Sequence, residues 1–151
     1  MGNLAVEAQC GRRVGKGILV DLAALRRKFP ALHRARPYDL YVGHLAHLLP
    51  IRDVVVLRCH PVELGRRLAR ARRGTRADQN ANVVAEAIDL VLREALAPGH
   101  RVWEVDTSGR TPADVAGEVE HHLTRRGPSR VGRVDWLADT RVTNYLLDRT
   151  Q

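Results

Sequence analysis

From residue 53 onward the chain alternates between two hydrophobic periods. Asp53 to Arg58 carries Val54, Val55, Val56 and Leu57 in an unbroken apolar run, the pattern of a strand buried on both faces of a parallel sheet. Pro61 suits the first position of a helix in which Leu64 and Leu68 stack at i,i+4 while Arg66, Arg67 and Arg70 point elsewhere. A long helix is predicted from about Asp78, with Val84, Ile88, Val91, Leu92 and Leu96 on its inner face and Pro98-Gly99 at its end. Val102 to Asp106 (VWEVD) reads as a second strand. Thr111-Pro112-Ala113-Asp114 then supplies the cap, the N1 proline and the acidic third position of another helix, with Val115, Val119 and Leu123 spaced behind. Strand, helix, strand, helix predicts an α/β fold with a parallel sheet flanked by helices.

The first third is less regular. Residues 3–20 mix apolar residues with glycines and read as a mobile arm. Asp21 can cap a short helix with Leu22, Leu25 and Phe29 on one face, stopped by Pro30. Tyr38 to Val42 (YDLYV) is expected as a short strand ending at Gly43-His44, and Leu45 to Leu49 as a turn or short helix closed by Pro50. At the other end, Arg125 to Ser129 is a polar linker and Val131 to Leu147 is expected to pack back through Trp136. With 151 residues and 44% apolar content, one domain over residues 1–151 is the working expectation.

Charge widens the set of partners without choosing one. Lys+Arg number 25 against 17 Asp+Glu, a formal +8, and only Lys16 and Lys28 are lysine, leaving 23 arginines. Planar guanidinium suits phosphate and RNA, but near-exclusive arginine is equally a mark of a GC-rich genome, so the charge permits anionic partners and no more. Cys10 and Cys59 form no CxxC and no dense spacing, which fits a reducing compartment and not a disulfide scaffold. No apolar run approaches the roughly 20 residues that span a bilayer, and the N-terminus lacks the layout of a signal peptide. A soluble, cytoplasmic protein with no membrane partner is expected.

Several segments carry candidate chemistry. Gly11 to Gly17 (GRRVGKG) imitates a phosphate-binding loop, but the spacing is one residue short, and Gly17 stands where a Ser or Thr must hold magnesium. It reads as a flexible basic loop. His44 and His47, with Cys59 and His60 downstream, lack a fourth ligand at motif spacing, so no metal site is assigned. His44 alone lies just past the carboxyl end of the expected strand, where open α/β sheets bind ligands; it either contacts a substrate or simply caps the turn. The arginines from Arg70 to Arg76, interrupted by Gly74, are a phosphate lid, an RNA contact or a solvated helix face.

The series GHLAHLLP, VVVLRCHPVELGRRL, Arg73-Gly74, Asn82 to Asp89 (NVVAEAID), Glu104 to Pro112 (EVDTSGRTP) and Gly132 to Trp136 (GRVDW) resembles the archaeal adenylate kinase isoenzyme six family, in order and spacing across nearly the whole chain. That resemblance implies a P-loop nucleoside monophosphate kinase fold, ATP and magnesium as cosubstrates, and AMP as acceptor, with ADP as product. It also implies a role in small ribosomal subunit maturation and rRNA processing, through a ribosomal protein of the uS11 type and rRNA. By the same resemblance, residues of about 3–20 fall in the monophosphate-binding arm and about 72–81 in the lid. Arg73 matches the family's nucleotide-contacting lid arginine, with Arg58 and Arg72 as further nucleotide-binding candidates. His44 matches the histidine of the acidic-x-His motif and is the catalytic candidate.

The chain departs from that pattern in two places. The opening strand, Walker A loop, helix and second strand of the family have no counterpart in the 151 residues, a unit of roughly 30 or more residues, and Val42 occupies the acidic position before His44. A sheet without the first strand leaves its neighbours unpaired or forced together, and phosphoryl transfer without the loop backbone and its lysine is expected to be negligible. Either the reading frame begins too far downstream, or the chain is a remnant that binds a ribosomal protein or RNA without catalysis.

Overall fold

A computed structural model describes residues 2–15, 17–72, 74–97, 99–125 and 127–149. The chain divides into two compact units, residues 1–52 and 53–151.

The first unit is more ordered in secondary structure than its sequence implies. The stretch expected as a mobile arm is a short helix, α1 (Gly2–Glu7), and an antiparallel hairpin of β1 (Gly11–Val14) and β2 (Gly17–Val20). The phosphate-loop lookalike is therefore the tip of a hairpin, and Gly15, at φ +54°, takes the left-handed conformation that a two-residue hairpin turn demands. Gly11 is small for a reason: a Cβ there would lie 3.1 Å from Ile18 and 3.2 Å from the Ala5 methyl. Asp21 caps α2 (Leu22–Ala35) through its Oδ1, which accepts from the Ala24 amide at 2.9 Å. Pro30 does not stop that helix, contrary to expectation. Proline removes one ladder bond, but Phe29, His33 and Tyr41 pack on one another beyond it, and the His33 Nδ1 and Tyr41 hydroxyl are hydrogen-bonded at 2.8 Å. Leu25 and Phe29 join Ala5, Ala8, Cys10 and Leu49 in one small core.

Tyr38 to Val42 is not a strand. Its alternating pattern is that of a half-buried strand, yet only Tyr41 turns inward, while Leu40 and Val42 are 55% and 71% exposed. A 3-10 turn, Ala46–Leu48, follows and buries His47.

The second unit is a small parallel sheet flanked by helices, as expected. β3 (Asp53–Arg58) and β4 (Arg101–Asp106) pair in parallel, with Asp53 opposite Arg101 and Arg58 opposite Asp106. On the far side of β4, Arg130 exchanges backbone bonds of 2.9 Å with Val102 and Glu104. No strand pairs with the other edge of β3 among the described residues. Only one face of β3 is buried, by Val54, Val56 and Arg58, whereas Leu57 is 54% exposed, so the expectation of burial on both faces is corrected.

The helices are α3 (Pro61–Arg70), α4 (Arg76–Ala87), α5 (Leu90–Leu96), α6 (Pro112–Arg125) and α7 (Thr140–Leu147). The single long helix expected after Asp78 is two, broken at Ile88-Asp89, with Asp89 at φ +59°. The inner face also differs from the expected one: Val83, Ala87, Leu92 and Ala95 are buried, while Val84, Ile88 and Leu96 are exposed. Trp136 packs with Ala87 and Val142, as its position in the tail predicts. α7 approaches α3 closely because Gly65 has no side chain; a Cβ there would run into the Tyr145 hydroxyl.

Candidate functional site

The carboxyl ends of β3 and β4 are held together by their following loops. The amide and hydroxyl of Thr107 both donate to the Arg58 carbonyl, at 2.8 and 2.7 Å. Ser108 accepts from the His60 amide at 2.7 Å, and its own hydroxyl and amide donate to Asp106 Oδ1 at 2.6 and 2.9 Å. From α3, Glu63 Oε2 accepts from the Gly109 amide at 3.0 Å, while Arg67 donates to the Thr107 carbonyl at 2.9 Å and pairs with Glu63. Arg110 closes the other side by donating to the Asp106 and Asp114 carbonyls and to Glu118. Residues 107–111 thus form a loop whose shape is fixed from both flanking helices, at the sheet edge where open α/β folds receive ligands.

Beneath this edge lies a charge cluster. The Arg58 guanidinium, 1% exposed, donates from Nε to Glu86 at 2.8 Å, from Nη1 to Glu104, and from Nη2 to Asp89 and to the Glu86 carbonyl. Burial works against its charge, but attraction and hydrogen bonds from Glu86 and Asp89 outweigh burial and hold its pKa above the ordinary value. Glu86 Oε1 also accepts from the Cys59 amide at 3.1 Å and the Trp136 indole at 2.8 Å, and Glu104 Oε2 accepts from the Arg133 amide at 2.8 Å. One arginine therefore ties β3, the α4–α5 break, β4 and the tail together. Next to it, burial pushes the Cys59 thiol up, against the opposing pull of Arg67. His60 Nε2 lies 3.2 Å from Asp139 Oδ2, and the Arg141 side chain and amide, followed by His60, hold the Asp139 carboxyl well below the usual carboxylate range.

No protein-family model matches the chain. Curated proteins do. One from Thermococcus onnurineus is 37% identical over 145 residues, which cover 95% of this chain and 79% of that protein. Others come from Pyrococcus abyssi, 37% identical over 89% of this chain and 73% of that one, and from Methanosarcina acetivorans, 34% identical over 80% and 71%. Each carries the name "Putative adenylate kinase". The chain belongs to this adenylate kinase-like family.

Within that family frame, the sequence-predicted residues fall in different settings. Arg58 is not displayed at the sheet edge; all its nitrogens are engaged internally. Arg72 is exposed in the turn after α3, at φ +49°, its amide donating to the Ala69 carbonyl at 3.1 Å. Arg73 lies outside the described residues. The expected lid of about 72–81 is this turn plus the start of α4, fixed by a capping box. In it the Asp78 amide donates to Thr75 Oγ1 at 3.1 Å and the Thr75 amide to Asp78 Oδ2 at 2.8 Å. The Thr75 amide, then its hydroxyl, holds the Asp78 carboxyl below its ordinary value. His44 is exposed in a turn, and Tyr38 to Val42 before it is not a strand, so the premise that placed it at a strand end is corrected.

Glu86, Asp89, Glu104 and Trp136 were not predicted as one cluster. The available signal was Glu104, a carboxylate inside the apolar run VWEVD, which in a buried strand requires a cation. Among the described residues, no group of three or more His, Cys, Asp or Glu side chains is placed to hold a metal ion, and no helix is long and apolar enough to cross a membrane.

Proposed function

We propose that the chain acts in adenylate kinase chemistry, converting ATP and AMP to two ADP. An AMP phosphate oxygen forms a bond to the γ-phosphorus of ATP, the bond from that phosphorus to the β,γ-bridging oxygen breaks, and ADP leaves. Magnesium enters with ATP as part of the substrate. Catalysis of this kind depends on positioning and charge neutralisation. By the family resemblance, Arg73 and Arg72 supply cations for the phosphates, and His44 is the catalytic candidate. Arg58 is a positioning residue that fixes the ends of β3 and β4 below the 107–111 loop. The observation that carries the reading is the relationship itself: 37% identity over 145 residues, covering 79% of a relative that carries the name "Putative adenylate kinase".

The family resemblance further supports a part in small-subunit maturation, through a uS11-type ribosomal protein and rRNA, in the cytoplasm. The 151 residues contain no G-x-x-x-x-G-K-[ST] stretch, which makes a non-catalytic binding role the competing reading. A coupled assay of ADP formed from ATP plus AMP decides between them, run on this chain and on a version extended to the next upstream in-frame start. Activity in the extended protein alone supports the kinase reading and assigns the phosphate loop to residues outside these 151. Activity in neither refutes it and leaves the binding role.

A further inference from the structure

One buried titratable group takes no part in the site described above. His122 of α6 lays its ring against the Trp103 indole of β4, with centroids 5.9 Å apart and planes 16° from parallel. Its Nε2 is buried and has no hydrogen-bond partner among the described residues. Buried polar atoms are nearly always paired, so an exception calls for a reason. Glu118 Oε1 lies one turn back on the same helix at 3.6 Å, too far for a hydrogen bond.

That carboxylate is already shared. Its Oε2 accepts from Arg110 Nη1 at 2.5 Å and its Oε1 from Arg133 Nη1 at 3.1 Å. The two arginines are held unequally. Arg110 also donates to the Asp106 and Asp114 carbonyls, whereas the Arg133 side chain is 50% exposed and, among the described residues, hydrogen-bonds Glu118 alone. The other titratable and charged groups about the ring are His121 at 5.8 Å and Arg125 at i+3 on α6, and Arg101 of β4, whose guanidinium lies 5.6 Å over the Trp103 ring. Imidazole is the side chain that ordinarily titrates between about pH 5 and 8. With its lone pair on Nε2, neutral His122 presents acceptor to acceptor across the 3.6 Å gap. A proton taken up from water at Nε2 turns that contact into a charge-assisted hydrogen bond. His122, Arg110 and Arg133 then compete for one negative charge while repelling one another, and Arg133 is the most weakly held of the three.

We propose that His122 is a proton-operated latch on Glu118: when the ring gains a proton, Nε2 takes Glu118 Oε1, the Arg133 side chain is released to water, and Arg110 stays on Oε2. When the ring is neutral, Arg133 is clamped to α6. The Arg133 amide remains on Glu104 Oε2 at 2.8 Å in both states, so the latch frees a guanidinium and not the backbone. It lies wholly within the second unit and works whether or not the chain turns over nucleotide.

The test is NMR of the full chain from about pH 8 down to about pH 5, following the His122 Cε1–H signal and the {1H}–15N NOE of Arg133 Nε. His122→Gln assigns the first signal, and circular dichroism verifies that each variant folds. In the native chain the His122 signal should titrate within this range, and the Arg133 NOE should fall with the same midpoint as the side chain becomes mobile. In His122→Gln the Arg133 NOE should stay constant with pH. Glu118→Gln removes the carboxylate charge, so the His122 step should move to lower pH by at least about half a unit, and Arg133 should be mobile throughout. The native chain alone decides if a variant does not fold. An imidazole signal that does not titrate in this range overturns the proposal, as does a titration with no coincident change at Arg133. An Arg133 transition that survives in His122→Gln, or a His122 step that Glu118→Gln leaves in place, overturns it equally. None of these results bears on ADP formation from ATP plus AMP.

Discussion

Replacing Arg58 with methionine is the most direct probe of the charge cluster. Methionine nearly fills the aliphatic stem and adapts to the gap, so the cavity contribution is small. What remains is three carboxylates without their cation. The Glu104 side chain is fully buried, that of Glu86 is 13% exposed and that of Asp89 35%. Removing one partner from a buried ion pair costs about 3 to 5 kcal/mol. The lower end is expected here, because Glu86 keeps the Cys59 amide and the Trp136 indole, and Glu104 keeps the Arg133 amide. A loss of about 3 kcal/mol is a large share of the 5 to 15 kcal/mol that stabilises a domain.

Glu104→Gln should be milder, about 1 kcal/mol, because Arg58 retains Glu86 and Asp89 and the cluster sheds a surplus negative charge. Urea denaturation followed by tryptophan fluorescence measures both, since Trp103 and Trp136 are the only two tryptophans and both lie in the second unit. The sign with pH is also fixed. Carboxylates stripped of their cation in a buried site have folded pKa values raised above their unfolded ones. They contribute stability below the unfolded pKa that is lost as pH rises through the folded one. The deficit of Arg58→Met against the native chain should therefore shrink as pH falls from 7 towards about 5. An Arg58→Met protein within about 1 kcal/mol of native, or a Glu104→Gln protein less stable than Arg58→Met, would refute the reasoning.

Other perturbations test the surrounding structure. Gly65→Ala should cost about 1 to 3 kcal/mol by displacing Tyr145 from its place under Arg149, and combination with Tyr145→Ala should be clearly less than additive in urea melts; additive losses would mean the two helices do not meet there. Cys59 should resist iodoacetamide near pH 8 in the folded protein and react rapidly once unfolded, because burial raises its pKa. Native-state labelling at the rate of a free thiol would contradict that burial. Asp139, held low by Arg141 and His60, contributes stability that is present above the ordinary carboxylate pKa and lost as pH falls through its depressed folded value. Acid titrations of stability should accordingly be flatter below about pH 4 in Asp139→Asn than in the native chain.

The elements that were legible in the sequence are those whose cause is local. The apolar run of β3, Pro61 opening α3, the VWEVD strand and the Thr111-Pro112-Ala113-Asp114 start of α6 each carry their own signal, and the structure has an element at each. The misreadings share a different origin. Nothing near Asp89 announces a helix break, because its reason lies 31 residues away in the Arg58 guanidinium. Asp89 turns into the left-handed region and meets that cation, so the pattern of a single helix does not continue past it; upstream of the break, Val83 and Ala87 rather than Val84 and Ile88 take the inner positions. Pro30 fails as a stop for a similar reason, since the turn after it is held by Tyr41, outside the helix. Tyr38 to Val42 has a strand's pattern but no strand beside it, and a period-2 pattern without a ladder partner is not a strand.

The site follows the same division. Single polar residues at strand ends were visible, but the network that gives Arg58 its role joins four segments spread from residue 58 to residue 136. Its one local trace is Glu104 inside the apolar run Val102 to Val105 of β4 and Arg58 at the end of the apolar run of β3. Charges in such positions need each other, because an unpaired ion in a buried strand costs more than the burial of its neighbours returns. Arg58 and Glu104 share one face of the sheet but not one rung: Arg58 lies opposite Asp106 and Val56 opposite Glu104, so their ion pair runs diagonally across the ladder and the two charges alone do not specify the register. The pair holds Arg58 in the interior of the second unit, 1% exposed, below the loop that joins β4 to α6.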